Sequence, residues 1–128
     1  WASHQIEHEL SAQYDCAHGA GLAVTVPAVM SYNTNHDIMR FAQLATRVWG
    51  VQMDFNNPES TAKKGIEALK IFLKAIGMPL SFAELGAKEE DIEKMAHTAC
   101  YGDGGDGTVG GFVSLTEADV INIYRSML

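Results

Sequence analysis

Apolar residues recur along this chain at three- and four-residue spacing, and apolar and polar positions nowhere alternate long enough to argue for a sheet. The pattern predicts an all-α chain. A first helix is expected over residues 2–13, followed by a short connector, Tyr14-Asp15-Cys16-Ala17, in which Asp15 caps the next helix. That second helix runs from about His18 to Tyr32 and is so apolar that it belongs inside a bundle. Pro27 lies within it and should kink it. Asn33-Thr34-Asn35 is expected to break the chain and cap a third helix, which carries Ile38, Phe41, Ala42, Ala45, Val48 and Trp49 at helical spacing.

After a loop over residues 54–58, residues 59–76 form the longest amphipathic helix. Its expected buried set is Ile66, Leu69, Ile71, Phe72, Leu73 and Ile76, and Gly77 and Pro79 punctuate its end. A helical turn over 81–85 stops at Gly86, and a helix over 88–99 begins with acidic residues that suit its dipole. The glycine-rich stretch 102–111 reads as a mobile linker. Thr116, with Asp119 three residues on, caps a last helix that runs to the C-terminus.

Composition adds limits. The 128 residues, 47% of them hydrophobic and 20% charged, suit one globular domain over 1–128 with a real core. A net charge of −7 argues against a nucleic-acid or anionic-membrane surface. The longest apolar stretch, residues 22–30, is too short to span a bilayer, and no signal-peptide pattern is visible. Two cysteines, Cys16 and Cys100, make no disulfide framework; reduced thiols and a cytoplasmic location are expected. The chain opens on Trp1 with helix beginning almost at once, so we expect a piece of a longer protein.

The candidate chemistry is concentrated at the start. His4 and His8 are one helical turn apart and share a face, and His18 follows at the mouth of the next helix, behind a tight connector. Such imidazoles can hold one metal ion, or one can act on substrate while others bind; they suit zinc, iron and copper alike. Structural histidines, in a helical module that binds a partner, are the plainer alternative. His4-Gln-Ile-Glu7-His8 also matches the inverted zinc-peptidase signature, which would need a third ligand such as Glu84. Glu7 and Glu9 either orient the imidazoles or are solvated carboxylates.

Other signals are weaker. Gly102 to Gly107 fits a dinucleotide-loop string but follows a helix rather than a strand, and Asp103 and Asp106 lack the closing Glu of a calcium loop. His36 and His97 read as surface residues, and Cys16 as an ordinary thiol.

Taken together, His4-x-x-x-His8-Glu-Leu-Ser-Ala, Ala17-His18-Gly19-Ala-Gly21-Leu-Ala-Val and Pro27-Ala-x-Met30 resemble the second metal-binding signature of the iron-containing alcohol dehydrogenases, nearest to the butanol-dehydrogenase-type branch. The likeness continues in order through Arg40-Phe-Ala, Val48-Trp-Gly, Ile76-Gly-x-Pro79, Gly110-Gly-Phe112 and Asp119-Val-x-x-Ile-Tyr124. It implies the C-terminal helical-bundle domain of the dehydroquinate synthase-like fold, with the dinucleotide-binding domain lying upstream. It also implies a divalent metal, Fe2+ or alternatively Zn2+, held by His4 and His18 together with an upstream Asp and His. His8 would be the non-ligand histidine beside the nicotinamide and substrate. The implied reaction interconverts primary alcohols and aldehydes with NAD(P)H, and this piece alone should be inactive. Apolar surface around the histidines would favour self-association, so a homo-oligomer is expected.

Overall fold

The computed structural model describes residues 1–128. In chain order it contains helix α1 (Ala2–Tyr14), helix α2 (His18–Asn33), a 3-10 turn at Thr34–His36, helix α3 (Ile38–Trp49) and helix α4 (Pro58–Ala75). The one-turn helix α5 (Phe82–Leu85) follows, then a 3-10 turn at Glu89–Asp91 that runs into helix α6 (Ile92–Tyr101). Strands β1 (Thr108–Val109) and β2 (Leu115–Thr116) pair antiparallel, and helix α7 (Glu117–Arg125) ends the fold. The chain is all-α apart from that two-residue ladder. No helix is long and apolar enough to cross a membrane.

The core lies where α1, α2, α6 and α7 meet. Ala2, Ile6 and Leu10 recur every fourth residue on α1, forming one buried stripe, and they pack in a cluster with Ile92, Met95, Val120, Ile123 and Tyr124. Burying a side chain such as Leu10 stabilises by roughly 1.5–3 kcal/mol. The Tyr124 hydroxyl is carried into this core but donates to the Ile6 carbonyl at 2.6 Å, so its polar atom is satisfied. Burial also pushes its pKa well above the ordinary tyrosine value. The stripe fixes how α1 rolls, and with it the direction in which His4 and His8 point.

As expected, α2 is central: it packs against α1, α4, α5 and α7 and buries Gly21, Ala23, Val24, Thr25, Pro27 and Val29. Pro27 sits inside it without ending it. Local punctuation also follows the sequence at two places, the Gly86 stop and the Thr116 cap with Asp119. Ser81 caps α5, Gly86 closes it at φ 78°, and Thr116 and Asp119 form a reciprocal capping box on α7.

Five expectations are corrected. Asp15 caps nothing that follows; at φ 50° it takes the left-handed conformation that Asp tolerates, and its N–H donates to the Ser11 carbonyl to close α1. The third helix is capped by Asp37, whose side chain accepts from the Arg40 N–H, while residues 34–36 form the 3-10 turn. Of the expected set on α4 only Ile66 is fully buried, and Leu69 and Leu73 are half-buried. Ile71 lies off the buried stripe formed by Thr61, Ala62, Gly65 and Ile66, and Phe72, beside Trp49 of α3, and Ile76, past the helix end, stay exposed. A short β ladder exists where no sheet was expected. Finally, the glycine-rich stretch is a hydrogen-bonded turn rather than a linker: the Gly107 N–H donates to the Cys100 carbonyl at 3.0 Å, and the Gly110 N–H to Gln5 Oε1 at 2.8 Å. Its glycines are required, since Gly104, Gly107 and Gly110 have φ of 82°, 96° and 89°.

Candidate metal centre

The connector between α1 and α2 is only three residues long, so α2 doubles back along α1 and brings His18 beside the His4 and His8 turn. The three imidazoles converge. Their ring centroids are 5.6 Å apart for His4 and His18, 5.8 Å for His8 and His18, and 6.5 Å for His4 and His8. His8 and His18 are exposed and His4 partly so. The cluster therefore opens to solvent on one side and rests on the core on the other.

Two further groups hold these rings. The Trp1 indole stacks on His4 with centroids 4.7 Å apart and planes 2° from parallel. Glu7, on the same helix and fully buried, accepts from His18 Nδ1 with one carboxylate oxygen and from the Ser11 hydroxyl with the other. Of the two earlier readings of Glu7, orienting or solvated, the geometry supports the first. Glu9 differs: it lies half-buried in a polar crevice of about 270 Å³ shared with His8, Gln5, Thr98 and Asp103, and it bonds none of the imidazoles. Burial, and then the nearby Asp103 charge, raise its pKa above the usual carboxylate value, partly offset by His8.

The donor set fits a divalent transition metal. With His18 Nδ1 committed to Glu7, its Nε2 is left for an ion, and His4 is the neighbouring ring held in a fixed plane. Ligand-capable atoms of Glu7, His8 and His18 also lie within 4.8 Å of one another. That trio makes a poor alternative, because both oxygens of Glu7 are already engaged and the carboxylate is sealed from solvent. Glu84 is exposed and spends its carboxylate on the Leu80 N–H at 2.5 Å, at the start of α5. The structure does not bring it to His4 and His8, and Glu7 is not free to act as a general base, so the peptidase reading loses its third ligand and its base. His36 and His97 are exposed, as expected; His36 lies edge-on to Phe112 and His97 bonds Glu117 at 3.2 Å. Cys16 and Cys100 are both free.

Sequence reasoning missed Trp1, Ser11 and Gly21 as parts of this centre. Ser11 stands one turn after Glu7, a spacing that could have suggested the bond. Gly21 faces the same carboxylate from α2: a Cβ there would fall 2.3 Å from Glu7 Oε1.

Residues 1–128, the whole chain, match the model of the iron-containing alcohol dehydrogenase family, C-terminal part. The chain belongs to that family. It is 34% identical over 126 residues to NADH-dependent butanol dehydrogenase A of Clostridium acetobutylicum, covering 98% of this chain and 32% of that protein. A probable NADH-dependent butanol dehydrogenase of Bacillus subtilis is 35% identical over 128 residues, again with 32% of its length covered. The crystal structure of NADH-dependent butanol dehydrogenase A from Thermotoga maritima superposes on 99% of the chain with a TM-score of 0.87 at 36% identity. The chain thus spans about a third of the length of these relatives and corresponds to their C-terminal helical domain. Family members of this kind are oxidoreductases.

Proposed function

We propose that this chain is the metal-site domain of an NAD(P)(H)-dependent dehydrogenase that interconverts primary alcohols and aldehydes. One observation carries the reading: His4, His8 and His18 converge on the solvent-facing side of the α1–α2 pair. His4 and His18 hold a divalent ion, Fe2+ or alternatively Zn2+, with the remaining ligands and most of the dinucleotide site supplied by sequence upstream of Trp1. When bound, that ion supplies Lewis acidity to the oxygen of the reacting alcohol or aldehyde. Trp1 fixes the plane of His4, and Glu7 fixes the ring of His18.

His8 has a different task. It is exposed, makes no carboxylate bond, and borders the polar crevice, so its ring can pass a proton between the substrate oxygen and water. Imidazole is suited to this because it exchanges protons near neutral pH. Hydride transfer itself is the work of the nicotinamide. A cytoplasmic, homo-oligomeric enzyme acting on small alcohols and aldehydes is the corresponding whole protein.

The test is NAD(P)H-dependent reduction of butanal by the full-length protein. His4→Ala and His18→Ala should each lower metal affinity and kcat/KM by more than about 100-fold, since even changes to groups behind the ligands cost up to that much. His8→Ala should lower kcat by about 10²–10⁴-fold with the metal retained. Full activity in His4→Ala or His18→Ala would sink the ligand assignment.

A further inference from the structure

Glu7 is a carboxylate with no exposed surface in a position where an apolar side chain would cost less. Three observations show that its surroundings are built for it. One oxygen accepts from His18 Nδ1 and the other from the Ser11 hydroxyl, so no buried side-chain polar atom is left without a partner. Ser11 is itself held near the Cys16 carbonyl at 3.4 Å, which ties this network to the α1–α2 connector. The third is on the opposite helix. Residue 21 lacks a side chain where any Cβ would collide with the carboxylate, at 2.3 Å from Oε1 and 2.7 Å from Cγ.

A buried carboxylate with one imidazole N–H on it fixes two properties of that ring. It sets the ring's rotation, because the Nδ1–Oε2 contact pins one edge. It also sets the tautomer, because a carboxylate accepts and the proton must then reside on Nδ1, leaving the Nε2 lone pair free. We propose that Glu7 is a positioning residue, which holds His18 as the Nδ1–H tautomer with Nε2 turned toward the metal, and that Ser11 and Gly21 are there to seat it. This rests on the reading of His18 as a ligand. His4 is positioned by a different device, the Trp1 stack, so the two rings are held independently.

The test has two parts, both on the full-length protein. In the metal-free wild type labelled with 15N-histidine, His18 should appear as the Nδ1–H tautomer. A dominant Nε2–H form overturns the proposal without any variant having to fold. Glu7→Leu, close in volume and without an acceptor, should then lose the Nδ1–H preference and bind Zn2+ about 10–100-fold more weakly, the usual cost of removing a ligand's hydrogen-bond partner. Glu7→Gln should recover much of both, since its amide oxygen can accept from the same N–H. Zn2+ affinity and tautomer unchanged in Glu7→Leu would overturn the positioning role. The two readings fail differently: if His18→Ala binds Zn2+ like the wild type, ligation is wrong, while the tautomer signal still reports on Glu7.

Discussion

The body built from α1, α2, α6 and α7 and the pair formed by α3 and α4 share the same helical periodicity but use it differently. In the body, large side chains such as Ile6, Leu10, Met95, Ile123 and Tyr124 are fully buried. In the α3–α4 pair the buried positions are mostly small, Ala42, Ala45, Thr61, Ala62 and Gly65, whereas Val48, Ile71, Phe72 and Ile76 are between 48% and 69% exposed. Small residues let two backbones approach closely but remove little apolar area from water, so the α3–α4 pair gains proximity where the body gains burial. Charge divides the same way: residues 38–78 hold six of the nine Lys and Arg but three of the sixteen Asp and Glu. The lysines of α4 are partly neutralised in place, with Lys63 on Glu59 at 2.6 Å and Lys70 on Glu67 at 2.9 Å. The lesson concerns the site. The site histidines hang on the body, where a displaced helix would empty a core, and not on the α3–α4 pair.

That contrast is most directly broken by paired truncations in the full-length protein. Leu10→Ala should destabilise by about 2–5 kcal/mol, because it leaves a cavity among fixed neighbours. Ile71→Ala, at 69% exposure, should stay within about 0.5 kcal/mol. Denaturant melts of the two variants decide the matter: equal costs would mean that the outer face of α4 is buried in the whole protein and that the two regions are alike after all.

The parts of this fold legible in sequence are those decided by neighbours a few residues apart. The Thr116 cap with Asp119 and the Gly86 stop each need only one turn of chain, and both are found. The helix expected over 88–99 nevertheless begins only at Ile92, behind a 3-10 turn, and the last helix ends at Arg125. What could not be read depends on a second element. The amphipathic pattern of α4 says that one face is apolar, but full burial of that face stops at Ile66, while Phe72 beside Trp49 stays 48% exposed, and nothing within α4 records that. The site divides along the same line. The common face of His4 and His8 follows from their spacing, and the approach of His18 from a short connector. The burial of Glu7 requires the missing side chain at Gly21, eleven positions past Leu10 on another helix, and the Trp1 stack carries no spacing signal at all.

Between α3 and α4, close approach is the property to test. A Cβ at Gly65 would sit 2.4 Å from the Ala45 Cβ and 2.8 Å from its Cα, and backbone cannot move aside as a flexible side chain does. Gly65→Ala should therefore cost about 1–3 kcal/mol as an overpacked contact, despite the better helix propensity of alanine. A stabilised Gly65→Ala variant in a thermal melt would show that the α3–α4 contact is loose where the structure makes it tight.

The smallest expected effect lies at the seam between two helices of the body, where Tyr32 near the end of α2 donates to Asp119 Oδ1 on α7 at 2.7 Å. Asp119 also accepts from the Thr116 N–H at 2.8 Å and hydroxyl at 2.7 Å. These bonds, that from Tyr32 first, hold its carboxyl below the usual aspartate value. A carboxyl depressed in the folded state binds protons more readily when unfolded, so its stabilisation is present above the unfolded value of about 3.9 and is lost as pH falls through the folded value. Asp119→Asn should thus cost on the order of 1 kcal/mol at neutral pH, the scale of a hydrogen bond made by an exposed charged group. The gap between variant and wild type should close on acidification below about pH 4. Melts of the two proteins from pH 3 to pH 7 check this, and a gap that persists unchanged to the lowest pH would mean that packing at the seam, rather than the Asp119 charge, is what the substitution removes.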